Sequence, residues 1–534
     1  MRARNEAILA DLIASRAEQA PDHDVVTFEG GGVRPDEVRT YADLYANATR
    51  IDAALVDRGM NEGERFGLLM RNHPEFIETM IAASITGCVF VPVDPRTKGE
   101  KLAYTLRHSG CRGLLCADYT LTQVEEIRAQ TPGLEWVLVL ESGEEPGSPR
   151  AADVHGAEPL AGVLDAPAAG MNVRIEDPSH PLEIIYTSGT TGDPKGVVLS
   201  NGRYCTAALI GMLVGYQPDE RPYTGLSLTH GNAQLITLAP TLAMKLRAVF
   251  SRKFTKSRLW DVTRRYGCTV FSLLGGMATA IYAEPPRPDD ADNPVRFVTS
   301  AGMPIGIWEA FEKRFDLKIL EAYGAIEGGL ALKPIGVGPV GSFGKAAPNL
   351  EMKILDEEGN ECPPGVAGEL VCRPTTGENA EVEYFGNQAA SREKTLGGWL
   401  RSGDVCHRDE EGWLFFDYRK GGAIRRSGDF VNPGFVEKVI AEHPQVTDVF
   451  VYGIPARSAA PGEKDVVAAV VPVERKSFDA DSVFAACRAG LEPNSVPSYL
   501  QVVGEIPKTA SEKPQERFLM EQFSPDAENV FAEK

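Results

Sequence analysis

The chain has 534 residues, 43% of them hydrophobic and 24% charged, too long for one core and long enough for several structural units. Its 75 acidic residues against 55 basic ones give a net charge of −20, which argues against a nucleic-acid or anionic-membrane surface but not against a local basic pocket. Nine dispersed cysteines show no C-x-x-C pair and no His/Cys grouping at metal-ligand spacing, so they read as reduced, packed thiols.

In chain order, the opening "MRARNEAILADLIASRAEQAP" alternates charged and apolar residues at helical spacing and lacks an uninterrupted apolar core. No later stretch approaches the roughly 18 apolar residues of a membrane span, and the expectation is a soluble cytoplasmic protein. A helical pattern at Tyr41 to Arg58 alternates with short apolar runs bounded by turns, "RFGLLM" (65–70) and "GCVFVPVDP" (87–95), which is the alternation of an α/β protein. Residues 142–170 are rich in Gly, Pro, Ala and Glu and read as a surface connection. The apolar "LEIIY" (182–186) reads as a buried strand that runs straight into "YTSGTTGDPKG" (186–196).

That loop has the composition of a phosphate binder. Its glycines let consecutive N–H groups face an anion, Thr187, Ser188, Thr190 and Thr191 add hydroxyl donors, and Lys195 adds a charge. It is not the Walker pattern, because Pro194 precedes the lysine and Gly196 follows it where Ser or Thr is required. Taken alone, an ordinary Ser/Thr/Gly-rich surface loop is an equal reading. Its place at a strand end, where α/β proteins commonly bind ligands, favours the phosphate reading.

Beyond it, "AGELVCRP" (367–374) and "WLFFDY" (413–418) look like sheet, and Gly421-Gly422 breaks the pattern before a basic turn. The runs "DVFVYGIP" (448–455) and "KDVVAAVVPV" (464–473) and the helical "DSVFAACRAGL" (481–491) then suffice for a small α+β domain. The expected division is residues 1–420 and 421–534.

Besides the loop, "SAGMP" (300–304), "EAYGAIEGG" (321–329), "GWLRSGD" (398–404), "DYRKGGAIRRSGD" (417–429) and "PKTASEKPQER" (507–517) follow in order. With these six segments the chain resembles the adenylate-forming superfamily of acyl-CoA synthetases, adenylation domains and beetle luciferases. In tone it is most similar to the crotonobetaine/carnitine-CoA ligase branch. The resemblance implies an α/β fold with a large N-terminal multi-subdomain α/β domain and a small mobile α+β C-terminal domain. It implies an ATP-dependent carboxylic acid–CoA ligase that forms an acyl-adenylate and then a thioester, with ATP, Mg2+ and coenzyme A as its small molecules.

By the same resemblance, Thr187, Ser188, Gly189, Thr190, Thr191, Gly192 and Lys195 wrap the β- and γ-phosphates, and Glu327 holds the magnesium. Tyr323, with Ala322, Gly324 and Ile326 beside it, flanks adenine, and Asp404 takes the ribose hydroxyls helped by Arg419. Gly302, Phe416, Arg425 and Gly428 belong to the same nucleotide set. Lys513 is the lysine that reaches the α-phosphate and the carboxylate during adenylation, and Gly421 is the pivot of the small domain. His230, Gly275, Gly276, Met277, Ser300, Ala301 and Gly302 fall on the acyl pocket, where the small residues suggest room for a bulky group. Three departures stand out: Ile326 where the family most often has Thr, Glu512 where it has Gly before the lysine, and Gly421 where it has Asp or Lys.

The partner expected is a small carboxylic acid, not nucleic acid, and a homodimer is left open. Two other readings remain: delivery to a separate carrier-protein thiol instead of CoA, and a nucleotide-binding sensor without catalysis. Retention of Lys513, Glu327 and Asp404 argues against the second.

Overall fold

The computed structural model describes residues 3–187, 194–419, 424–426, 429–431, 433–456, 464–491, 493–509 and 514–533. The chain divides into two compact units, Met1–Ser272 with Pro294–Phe297 and Val382–Glu393, and Leu273–Asn293 with Val298–Glu381 and Lys394–Lys534.

In the first unit the apolar runs become a seven-stranded sheet in the order Ala157–Pro159, Trp136–Leu140, Cys111–Ala117, Arg65–Leu69, Val89–Val93, Pro181–Thr187, Lys195–Ser200. All neighbouring pairs are parallel except the last, which is antiparallel. Parallel strands need crossovers that cover the sheet faces, and Val89–Val93 is accordingly buried at every residue. One crossover is the helix Pro74–Thr86, with proline in its first turn and Gly87 at φ 74° ending it. The helix Tyr41–Asp57 starts at a capping box made by Thr40 and Asp43, in agreement with the periodicity that marked it. The same unit holds strands Glu37–Thr40, Asp24–Phe28, Ala248–Phe250 and Pro222–Thr224, paired in that order.

The segment read as a surface connection is partly structured. Ala151 and Leu160 are buried, and Ala157–Pro159 forms the edge strand beside Trp136–Leu140. A few apolar residues among the Gly and Pro were enough to dock it.

The second unit contains the antiparallel strands Lys318–Ala325, Gly328–Lys333 and Lys345–Ala346. An antiparallel meander follows: Leu350–Leu355, Gly368–Pro374, Leu400–Arg408 and Leu414–Arg419. Next come the two-stranded sheet Ile424–Arg426 with Asp429–Val431, and the smaller C-terminal domain. There, Val446–Pro455, Lys464–Pro472, Tyr499–Val502 and Val530–Ala532 form a four-stranded sheet. The helices Pro433–Ala441 and Ala480–Gly490 share its core through Val436, Ile440, Val483, Phe484 and Cys487. Each α+β element expected after residue 446 is present within two residues of its expected ends.

All nine cysteines are free thiols; only Cys205 is more than slightly exposed. Burial pushes Cys111, Cys116, Cys205, Cys268 and Cys487 up to about 12, and Cys88 and Cys372 to about 11. Among the described residues, no helix is long and apolar enough to cross a membrane.

The last two strands of the first sheet flank the phosphate loop, and Gly196 is the point of tightest fit. A Cβ there would lie 2.6 Å from Ile184 Cγ2 and 3.1 Å from the Tyr186 ring. We expect Gly196→Ala to lower the melting temperature and to weaken ATP binding together. A variant with the wild-type melting temperature and ATP affinity, measured by calorimetry, would show that the hairpin does not set the loop.

Candidate active site

Strand Pro181–Thr187 pairs antiparallel with Lys195–Ser200, and Thr187 pairs directly with Lys195, so the two ends of the segment read from sequence as a phosphate binder are held in register. Lys195 Nζ sits 5.4 Å from the centre of the Tyr384 ring, and Tyr186 OH lies 2.7 Å from His108 Nδ1. Ser188, Gly189, Thr190, Thr191 and Gly192 lie outside the described residues, as do Gly421, Gly428 and Lys513. Of Arg425 only the backbone, in strand Ile424–Arg426, is described.

Within the same unit, Glu183 of the loop-bearing strand is fully buried, and its Oε2 accepts from Gln234 Nε2 at 2.9 Å. Burial without a counter-charge pushes its carboxyl up to about 8. Gln234 belongs to Asn232–Leu238, a π-helix, a rare winding that is often found at functional sites. The half-buried His230 immediately precedes that helical stretch, with its backbone N–H donated to Ser227 O.

In the second unit, Asp404 is 6% exposed and is held from three sides. Tyr323 OH donates to its Oδ2 at 2.6 Å, Arg419 Nε approaches Oδ1 at 3.5 Å, and its own N–H donates to Ser402 Oγ at 2.9 Å. Burial and the charge of Asp404 raise the Tyr323 phenol well above its ordinary value, so it stays a donor. The Tyr323 ring packs on Phe343, with centroids 4.8 Å apart. The "RSGD" stretch of strand Leu400–Arg408 is fixed by the buried Glu369, which accepts from Arg401 Nε and from Gly403 N. Asp404 therefore presents a fixed acceptor, as recognition of a diol requires.

Tyr323, Glu327, Lys394 and Ser402 line one small cleft, together with Cys372 and Met352. Lys394 Nζ donates to Ser402 O at 3.1 Å; burial lowers its pKa, and attraction to Glu327 offsets part of that effect. No group of three or more His, Cys, Asp or Glu capable of holding a metal occurs among the described residues. Glu327 is a carboxylate in this cleft, an oxygen donor of the kind a hard cation such as magnesium takes.

Around the sequence-assigned acyl residues, the space left by Gly275 is filled by backbone. A Cβ there would lie 2.2 Å from Gly302 O, so this glycine serves close approach of two chain segments and leaves no room for a bulky group at its Cα. Gly302 itself has φ 84° and open space around its Cα. Its N–H and that of Met303 both donate to Glu321 Oε1, at 2.5 and 3.1 Å. Met277 and Ser300 are buried, Ala301 is half-buried, and Gly276 is exposed. Ala322 and Ile326 are half-buried, Gly324 is exposed, and Phe416 is 52% exposed. Gln234, Glu183, Glu321, Glu369 and Lys394 were not among the residues that sequence reasoning singled out.

Two outcomes are expected from this geometry. Asp404→Ala should weaken ATP binding by about 1.5 to 3 kcal/mol for each charge-assisted hydrogen bond lost, with little change in acid binding; separate titrations of the two substrates check it. The second concerns Glu183, whose pKa is raised in the folded state. Its contribution to stability is complete below its ordinary value of 4.5 and is lost as pH rises through about 8. Glu183→Gln should therefore remove part of the decline in melting temperature between those pH values, and parallel wild-type and variant profiles would contradict the assignment.

The family model of the AMP-binding enzyme matches residues 13–377, and that of the AMP-binding enzyme C-terminal domain matches 436–513. A medium/long-chain-fatty-acid–CoA ligase of Mycobacterium marinum is 32% identical over 487 residues, 90% of each chain. A crotonobetaine/carnitine–CoA ligase of Salmonella typhi is 26% identical over 482 residues, 89% of this chain and 91% of the relative. The solved structure of the anthranilate CoA ligase AuaEII with anthranoyl-AMP shares the fold, with a TM-score of 0.83 at 22% identity over 98% of both chains. With both family models matched in order and the fold of adenylate-forming enzymes present from end to end, the chain belongs to the AMP-binding enzyme family.

Proposed function

We propose that this protein is an AMP-forming carboxylic acid–CoA ligase. The observation that carries the reading is the buried Asp404, held by Tyr323 and Arg419 beside the cleft that Glu327 lines: a fixed acceptor for a ribose next to a single carboxylate for a phosphate-bound cation. The relatives that are named CoA ligases support CoA as the acceptor.

In the first half-reaction a carboxylate oxygen of the acid attacks the α-phosphorus of ATP and pyrophosphate departs. In the second, the thiol of CoA attacks the acyl carbon and AMP departs. Both partners of the first step are anions, so the protein's task is to neutralise and align them. Asp404 orients the ribose, Tyr323 flanks the base, and Thr187 to Lys195 surround the outer phosphates. Glu327 would hold Mg2+, which when bound neutralises phosphate charge. Lys513 supplies a cation to the α-phosphate and the substrate carboxylate. Gly421 is assigned as the pivot of the C-terminal domain between the two half-reactions, and Lys513 is assigned to the first of them alone. His230, with Met277 and Ser300 to Gly302, is assigned to the acid. The stretches that carry them contain no arginine or second carboxylate, which favours an uncharged acyl group; the fatty-acid–CoA ligase named above is in keeping with that.

A screen of fatty, aromatic, alicyclic and betaine-type acids for pyrophosphate release, with and without CoA, tests the reading. Pyrophosphate and AMP should appear with an acid and ATP, and a thioester only when CoA is added; release of neither with any acid would refute it. Lys513→Ala should slow pyrophosphate release by roughly 10²- to 10³-fold, the cost of one missing donor to developing charge. Thioester formation from synthetic acyl-AMP and CoA should be spared. Equal loss in both half-reactions, in a variant with native circular dichroism, would contradict the assigned role.

A further inference from the structure

The segment Gly225–His230 and the strand Pro181–Thr187 are distant in sequence, yet one side chain joins them. Gln234 Nε2 donates to Leu228 O at 2.8 Å and to Glu183 Oε2 at 2.9 Å. The backbone N–H of Leu228 is also held, since it donates to Asn72 Oδ1 at 2.8 Å. Asn72 Nδ2 in turn donates to Leu226 O and to Ser251 O, each at 2.8 Å. Asn72, Glu183 and Gln234 are all fully buried, so no water can substitute for a lost partner. The Gln234 amide is the only donor to Glu183 among the described residues, and Glu183 Oε1 has no hydrogen-bond partner among them.

The spacing gives this bridge its meaning. Glu183 stands four residues before Thr187, where the phosphate loop begins, and Leu228 stands two residues before His230. Gln234 lies in the π-helix, whose wider winding departs from ordinary helical spacing, and its backbone N–H donates to His230 O at 3.4 Å. A side-chain amide with two donors can satisfy two carbonyl-type acceptors at once, and here they belong to different elements.

We propose that Gln234 is a positioning residue for acyl-adenylate formation. Its amide registers the segment ending at His230 against the strand that delivers the phosphate loop, so the attacking carboxylate and the α-phosphate are held in line. The inference rests on the ligase reading above. Gln234 touches no reacting atom; it acts by fixing two pieces of backbone. Loss of alignment lowers the rate of the chemical step more than it lowers nucleotide affinity.

The test is a double-mutant cycle of Gln234→Leu and Glu183→Leu, read by pyrophosphate release with an acid that the wild type turns over, by melting temperature, and by amide hydrogen exchange. Each single variant should lower kcat by about tenfold to a hundredfold and leave the apparent KM for ATP unchanged. The double variant, with an apolar pair in place of the polar one, should recover melting temperature, because removing both partners is far less costly than removing one. Its kcat should stay as low as that of the single variants, since the registration is still missing. Hydrogen exchange should quicken together in residues 181–187 and 225–231 of Gln234→Leu. Recovery of kcat along with melting temperature in the double variant would mean that Gln234 only fills space and would overturn the proposal, as would kcat losses that multiply. If the single variants do not fold, the double variant alone decides between these outcomes. Exchange unchanged in either segment would also overturn it, and this readout needs no substrate. A wild type that turns over no acid while the coupled exchange is present would refute the ligase reading and leave the bridge standing.

Discussion

A carboxyl group withdrawn from water must be given hydrogen-bond donors or keep its proton, and it binds its surroundings tightly in either case. The candidate site of this protein is assembled around acids in that condition. Glu369 gathers Arg401 and the N–H of Gly403, and so sets the stretch of strand that presents Asp404. Asp404 is held in turn by Tyr323 and Arg419. Glu321 takes the N–H groups of Gly302 and Met303, and Glu183 takes the Gln234 amide. Burial raises Glu321 to about 7 and Glu183 to about 8, a sign that few compensating charges reach either. These acids hold backbone in place, and the groups assigned to chemistry stand on that backbone.

Such an arrangement suits the reaction proposed. A triphosphate and a carboxylate repel one another, and a chain with a net charge of −20 offers them no general attraction. Attraction must be local and fixed in advance, because dipoles that reorient during the reaction forfeit part of what they contribute. Buried acids that cannot move without leaving an unpaired polar group behind keep that framework rigid.

The elements legible in the sequence were those that depend on near neighbours. "RFGLLM", "VFVPV" and "LEIIY" were strands because short apolar runs between turns have no better way to be buried, and the capping box at Thr40 began the helix where its spacing began. Asp404, Tyr323 and Glu327 were singled out through the order of short motifs. The residues that fasten the site were missed because their partners are far along the chain, 51 residues apart for Gln234 and Glu183 and 32 for Arg401 and Glu369. A signal was present all the same. Glu183 and Glu369 lie in strands of mainly buried residues, and Glu321 follows the buried Ile319 and Leu320; an acid in such a setting must have a partner. Gly275 shows a related limit: a missing side chain looks the same in sequence whether ligand or backbone lies against it, and here the Gly302 carbonyl lies where its Cβ would be. The π-helix had no local signature in composition or spacing.

The packed cysteines bear on fidelity. An acyl-adenylate will acylate any thiolate that reaches it, and the thiolate, rather than the thiol, is the nucleophile. Cys372 lines the very cleft that holds Glu327 and Tyr323, but burial pushes its thiol up to about 11, and Cys406 is raised further still. At neutral pH burial keeps these sulfurs in the thiol form, and Cys205, the most exposed of the nine, is raised as well. For the reaction proposed, raised thiols such as Cys372 disfavour self-acylation relative to transfer to an incoming thiol.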